Sequence, residues 1–198
     1  MPFFALDEDN QRIFAKQANP FAMFRCLECG QRVRVRQGKD RLPHFYHVRN
    51  APSCRLYSRS EDHLLIQLQL ARSLPKGEVK LEAPIDAARR IADVYWTTQN
   101  IVFEIQCSLI DLREIEARTR AYQENGYQIV WLLDDRPFNR RLVSREEKFL
   151  RTQACYYTAF QRSTPSLFYD QLEIIRINQR LKKGKRLSIE PGAPRKLS

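Results

Sequence analysis

The 198-residue sequence contains no apolar run approaching the length of a membrane-spanning helix, no secretory pattern and no internal repeat. A membrane is therefore not its expected solvent, and a cytoplasmic location is favoured. Cysteine is scarce. Five residues, an odd number, argue against a disulfide scaffold and again for a reducing compartment. No helix-turn-helix or zinc-finger recognition helix is evident, so a strong preference for particular base sequences is not expected. Acidic residues are in the minority: 34 Lys and Arg face 23 Asp and Glu, giving a formal net charge of +11 and a pI near 9.7. That balance suits a polyanion such as DNA, because cations that neutralise phosphates release condensed counterions. An apolar content of 43% argues against disorder and suffices for one substantial domain plus a small module.

The few cysteines are not scattered at random. Cys26-x2-Cys29 is followed by His44-x2-His47 and then Cys54. Paired thiolates followed by imidazoles are the donor set of tetrahedral zinc, and Gly30 directly after the pair suits a zinc knuckle. Residues 20–59 hold few large apolar side chains, so a structural Zn²⁺ would supply stability that a small core cannot. Five donors compete for four positions; Cys26, Cys29, His47 and Cys54 are favoured, with His44 the alternate. Unliganded thiols beside packed histidines are the competing reading. Cys107 and Cys155 read as core residues. Nearby, Arg32-Val33-Arg34-Val35-Arg36 alternates so that its arginines share one strand face, either a phosphate-contacting ribbon or an ordinary solvated face.

The centre of the chain carries a second set of chemical residues. In Ile101-Val102-Phe103-Glu104-Ile105-Gln106-Cys107, Glu104 and Gln106 fall on one strand face and Ile101, Phe103, Ile105 and Cys107 on the other. Upstream, Arg90-Ile91-Ala92-Asp93-Val94-Tyr95-Trp96 is β-prone, and the turn-prone Thr97–Asn100 makes the two runs a hairpin candidate. Antiparallel pairing brings Asp93 near Glu104, and two close carboxylates repel unless a cation lies between them or one is protonated. Mg²⁺ or Mn²⁺ held there would polarise a phosphodiester, with Gln106 orienting the attacking water. The solvated face of an antiparallel sheet is the competing reading.

The flanking pattern gives the order αβββαβ. A helix is expected over Ser60–Ser73 with Ser60 as N-cap, strands near Val79–Ile85, Ile91–Trp96 and Ile101–Cys107, a helix over Asp111–Asn125 closed by Gly126, and a strand over Tyr127–Leu133. Phe3–Leu6 and Gln11–Ala15 read as a hairpin completing the N-terminal module. Ser144–Phe160 has helical spacing with a Ser144/Glu147 capping box, and a further helix is expected near Tyr169–Gln179. The basic run Lys182–Arg186 and the Pro191–Ser198 tail read as extended. We thus expect an N-terminal module over 1–56, a core domain over 57–136, a helical region over 137–181 and a basic tail over 182–198.

Taken in order, Cys26-Leu27-Glu28-Cys29, His44-Phe45-Tyr46-His47, Ser60-Glu61-Asp62-His63, Arg90-Ile91-Ala92-Asp93-Val94, Glu104-Ile105-Gln106-Cys107-Ser108, Arg118 with Tyr122, and Val130-Trp131-Leu132-Leu133 resemble the CoiA family of competence proteins. The core looks like the PD-(D/E)XK nuclease fold, an α+β or α/β class. The resemblance implies a cytoplasmic, metal-dependent deoxyribonuclease or DNA-processing factor acting between DNA uptake and recombination in natural transformation. The alternative it leaves is a catalytically inactive binding or loading factor beside a recombinase. The implied catalytic residues are Asp93, Glu104 and Gln106, with Glu61 or His63 as helper. Gln106 stands where the wider superfamily has lysine, and Arg59 where the competence family usually has glutamate. Arg34, Arg36, Arg90 and Arg118 are the candidate contacts to DNA, expected to be single-stranded.

Overall fold

The computed structural model describes residues 1–162 and 164–192, which fall into two compact units, Met1–Leu64 and the chain from Leu65 onward. The first unit is a five-stranded antiparallel sheet of order β2-β1-β3-β4-β5, formed by β1 (Phe4–Leu6), β2 (Arg12–Phe14), β3 (Phe24–Arg25), β4 (Arg32–Gly38) and β5 (Arg41–His47). Its small core is aromatic: Phe24 and Phe45 pack at 5.0 Å, and Phe3, Phe24 and Phe45 are all buried. On β4 the alternation works as expected, with Val33 fully buried and Arg32, Arg34 and Arg36 exposed.

The helix α1 (Glu61–Arg72) starts at the end of the first unit and runs into the second, with Ser60 Oγ accepting the His63 backbone N–H at 3.1 Å as its N-cap. There follow β6 (Val79–Ile85), β7 (Arg90–Trp96), β8 (Ile101–Gln106), α2 (Leu112–Gln123), β9 (Gln128–Asp134), α3 (Arg145–Leu150), β10 (Cys155–Gln161), β11 (Thr164–Arg176) and β12 (Gln179–Ser188). From α1 to β9 the order is the αβββαβ read from the sequence. The seven strands form one mixed sheet, β12-β11-β10-β9-β8-β7-β6, in which β8, β9 and β10 run parallel and the outer pairs antiparallel. The parallel centre is covered on both faces, which is why Val130, Trp131, Leu132 and Leu133 read as a continuous apolar run. One face packs Ile66, Leu70 and Leu74 of α1 and the following turn against Val94, Phe103, Ile105 and Val130. The other packs Ile115 and Tyr122 of α2 and Leu150 of α3 against Val102, Trp131 and Leu133.

The C-terminal region corrects the expectation of a helical extension. Only Arg145–Leu150 is helical; the remainder is β10, β11 and β12, and Lys182–Arg186 lies within β12 rather than in a tail. The physical reason is the open edge of β9. Tyr156, Tyr157 and Thr158 are β-prone, and they bury completely or almost so by pairing in parallel with Leu132–Asp134. The two-residue turn Ile177-Asn178, both at positive φ, then matches the twist of the β11–β12 hairpin. Residues 193–198 of the expected extended tail lie outside the described residues. Among the described residues no helix is long and apolar enough to cross a membrane.

Candidate functional site

In the N-terminal unit, Cys26 and Cys29 stand on a tight turn in which Gly30, at φ +69°, donates its N–H to Cys26 O. His47 ends β5 and Cys54 follows in a turn. One donor atom from each of Cys26, Cys29, His47 and Cys54 lies within 4.8 Å of every other. Cys26 Sγ and Cys54 Sγ are 3.7 Å apart, and Cys29 Sγ and His47 Nε2 are 3.3 Å apart. A tetrahedron built on Zn–S bonds of about 2.3 Å has edges of roughly 3.8 Å, so the donor set fits zinc in number, softness and spacing. His44 lies outside the group, its Nδ1 against Leu42 O at 2.8 Å. Three residues from His47 on the same strand, it takes the opposite face. Burial pushes the Cys26 thiol up to about 12, against lowering by backbone hydrogen bonds from Cys29 and Glu28, and raises Cys54 as well. Burial also lowers His47, keeping its imidazole neutral as a ligand requires.

The second site lies in the large sheet. The β7–β8 ladder runs from Trp96↔Ile101 to Val94↔Phe103 and stops there. One step further the register places Asp93 opposite Glu104, and the Asp93 carboxylate takes the place of a ladder carbonyl by accepting the Ile105 N–H at 2.8 Å. The strands therefore part at the two acids. Both are buried, at 1% and 2% exposure.

The positive counterpart comes from α2, whose Asp111 N-cap accepts from Arg113 N at 2.8 Å. Glu114, Arg118 and Tyr122 follow one another at helical spacing on one face. Arg118 donates to Glu104 Oε2 at 2.8 Å and to Glu114 Oε1 at 3.1 Å, while the Tyr122 hydroxyl donates to Glu104 Oε1 at 2.7 Å. Burial disfavours the Arg118 charge, but Glu104, Asp93 and Glu114 outweigh it and raise its pKa. Burial, with Glu104 behind it, raises Tyr122 and keeps its hydroxyl protonated as a donor. The two carboxylates are thus neutralised in part by one guanidinium.

The predicted residues distribute unevenly around this centre. Asp93, Glu104 and Arg118 converge, and Gln106 follows on the same strand with its Nε2 donating to Ser108 O at 2.6 Å. Arg90 is joined through Glu114, which it contacts at 2.7 Å. Arg118, a candidate phosphate contact, donates to the carboxylates of Glu104 and Glu114. Glu61 and His63 occupy the first turn of α1, the former half-buried and the latter buried. Arg34 and Arg36 are exposed on β4 in the other unit, Arg36 stacked over Tyr46 at 4.5 Å. The sequence reading missed Gln67, whose Nε2 donates to Asp93 O from α1, and the fully buried Glu82 on β6. Gln67 had a signal, four residues after His63 on one helical face.

Residues 59–188 match the family model for the competence protein CoiA nuclease-like domain, and residues 7–57 match the one for the competence protein CoiA N-terminal domain. No curated protein and no solved structure matches the chain.

Proposed function

This chain belongs to the CoiA family of competence proteins, and from that membership we propose that it is a metal-dependent nuclease processing incoming DNA during natural transformation. The observation that carries the reading is the burial of Asp93 and Glu104 side by side where β7 and β8 part, within an αβββαβ order suited to a PD-(D/E)XK core. Their carboxylates, hard oxygen donors, fit Mg²⁺ or Mn²⁺. When bound, such an ion supplies Lewis-acid polarisation of the phosphoryl group and a water of lowered pKa.

The chain's own residues divide the remaining work. Asp93 and Glu104 are the ligands, and Gln106 orients the water through its amide, which cannot take up a proton as an amine does. Glu61 or His63 on α1 is the helper. The water oxygen bonds to phosphorus and gives up one proton, the bond from phosphorus to a sugar oxygen breaks, and that oxygen leaves having taken up one proton, so none is gained or lost overall. Arg34, Arg36 and the general positive charge hold the phosphates, single-stranded DNA being the expected substrate. The Cys/His site is structural, and the protein works in the cytoplasm beside recombination proteins.

The alternative is a nuclease-fold binding or loading factor without catalysis. One observation favours it: both Glu104 oxygens already accept hydrogen bonds from Arg118 and Tyr122. Cleavage of end-labelled single- and double-stranded DNA in Mg²⁺, Mn²⁺ or EDTA, beside a folded Asp93→Ala/Glu104→Ala variant, separates the two. The nuclease gives metal-dependent products that the variant does not. Salt-sensitive binding by both proteins without cleavage supports the alternative.

A further inference from the structure

The odd-numbered residues of β6 ought to share one face, yet they do not. Val79 and Leu81 pack with the α1 side of the sheet, whereas Ala83 and Ile85 pack with the α2 side. The strand turns over at Glu82, whose φ of +45° lies in the left-handed region that a residue with a Cβ rarely adopts. The neighbouring strand does the same. Ala92 belongs to the α2 side and Val94 to the α1 side, so the face changes across Asp93. The pairs Leu81↔Val94 and Ala83↔Ala92 bracket Glu82 and Asp93 and set them opposite one another. Glu82, Asp93 and Glu104 therefore form one row across three adjacent strands, at 0%, 1% and 2% exposure.

Burying a carboxylate in the core of a sheet costs solvation that polar partners or a cation must return. An apolar residue would pack there, and glycine would adopt the backbone conformation more easily. A second observation bears on the same place. Gln67 is fully buried, its amide is anchored on the Asp93 carbonyl, and its Oε1 has no hydrogen-bond partner among the described residues. A buried acceptor beside Asp93 without a donor is what water in the shell of a cation would satisfy.

We infer that Glu82 is a third acidic residue of the divalent-cation site, set beside Asp93 by the kink that β6 and β7 share. This rests on the cation-dependent reading of Asp93 and Glu104. Three carboxylates in a row bind a hard divalent ion more firmly than two, and Arg118 on α2 compensates part of their charge. Glu82 acts on the metal through a bound water, since among the described residues only the Cys/His set brings three donor atoms within 4.8 Å of one another, and it has no part in recognising bases.

The test is Mn²⁺ binding to the full chain, followed by electron paramagnetic resonance and by the shift in thermal unfolding that Mn²⁺ produces, for the wild type, Glu82→Gln, Glu82→Asn and Asp93→Asn. Asparagine is included because it tolerates the left-handed backbone and keeps the variant folded. The expected result is a loss of Mn²⁺ affinity of about 10- to 100-fold in both Glu82 variants, with the metal-dependent unfolding shift reduced to match. Wild-type affinity in folded Glu82 variants, with Asp93→Asn impaired, overturns the role of Glu82 and leaves the cation site standing. Failure of the wild type to bind Mn²⁺ overturns both.

Discussion

Arg118 and Glu104 form a buried ion pair, 2.8 Å between guanidinium and carboxylate, with side-chain exposures of 13% and 2%. Their elements explain the meeting: β8 presents Glu104 to the α2 side of the sheet, and α2 places Arg118 one turn before Tyr122 on the face turned to it. Removing one member strands the other. Arg118→Gln is expected to cost about 3–5 kcal/mol, the range for an uncompensated buried charge. The double variant Arg118→Gln/Glu104→Gln is expected to be more stable than Arg118→Gln alone. Urea unfolding of the four proteins in this cycle measures the coupling.

The thiol site makes a prediction about protons. With the Cys26 thiol pushed up to about 12 by burial and Cys54 raised as well, metal binding must displace protons from sulfur. Apparent zinc affinity should therefore fall as pH is lowered, and competition with a chromogenic chelator between about pH 8 and pH 6 reads the slope. Cys26→Ser and Cys54→Ser should lose the bound zinc. His44→Ala should keep it, since the Nδ1 of His44 faces Leu42 O outside the donor group.

Much of this architecture is legible in the sequence. The strands expected near Val79–Ile85, Ile91–Trp96 and Tyr127–Leu133 and the helix expected over Asp111–Asn125 form within a few residues of those bounds, the first from its alternation and the third from its continuous apolar run. The candidate acids Asp93 and Glu104 stand out as isolated charges in apolar strands. What remains hidden depends on partners distant in the chain. Glu82 looks like an outward polar residue until the turnover of β6 buries it, and no local pattern encodes a positive φ at glutamate. The spacing of Ser144–Phe160 suggests a helix because its pairing partner, β9, lies more than twenty residues upstream of Tyr156. Ser144 does cap the short helix, accepting Glu147 N at 3.1 Å, but the Glu147 carboxylate turns to Arg180.

Glu114 links Arg90 and Arg118, and its titration should be visible in the acid limb of stability. Burial alone would raise its carboxyl, but Arg118 and Arg90 outweigh burial and hold it below its ordinary 4.5. The native protein then binds fewer protons than the unfolded chain between the two pKa values, so stability rises with pH there. The contribution is complete above about 4.5 and is lost as pH falls through the lowered native value. Glu114→Gln should flatten that limb. Urea midpoints for both proteins from about pH 3 to pH 6 test this, and an unchanged slope would mean that the two arginines do not act on Glu114 in solution.

Arg180 carries a charge into the C-terminal part of the sheet. Its side chain is 0% exposed, with Glu147 at 2.6 Å, Glu173 at 2.5 Å and the Tyr157 hydroxyl at 3.2 Å, and that hydroxyl donates to Glu147 at 2.7 Å. β12 is the last strand of the sheet, paired with β11 and bridged at its start to Leu142, with Arg180 N–H donating to Arg141 O at 2.7 Å; the side-chain network ties it further to α3. Arg180→Met keeps the length and apolar stem but takes the guanidinium from Glu147 and leaves Glu173 only the longer ion pair with Arg151 at 3.5 Å. A loss of about 3–5 kcal/mol is expected. Converting both glutamates to glutamine in the same background should restore part of it, because the stranded charges, rather than lost packing, dominate the cost. Hydrogen exchange localises the effect: faster exchange along β11 and β12 in Arg180→Met, with β8 and β9 protected as in the wild type, is the expected pattern. Uniform acceleration across the sheet would show instead that the network stabilises the unit as a whole.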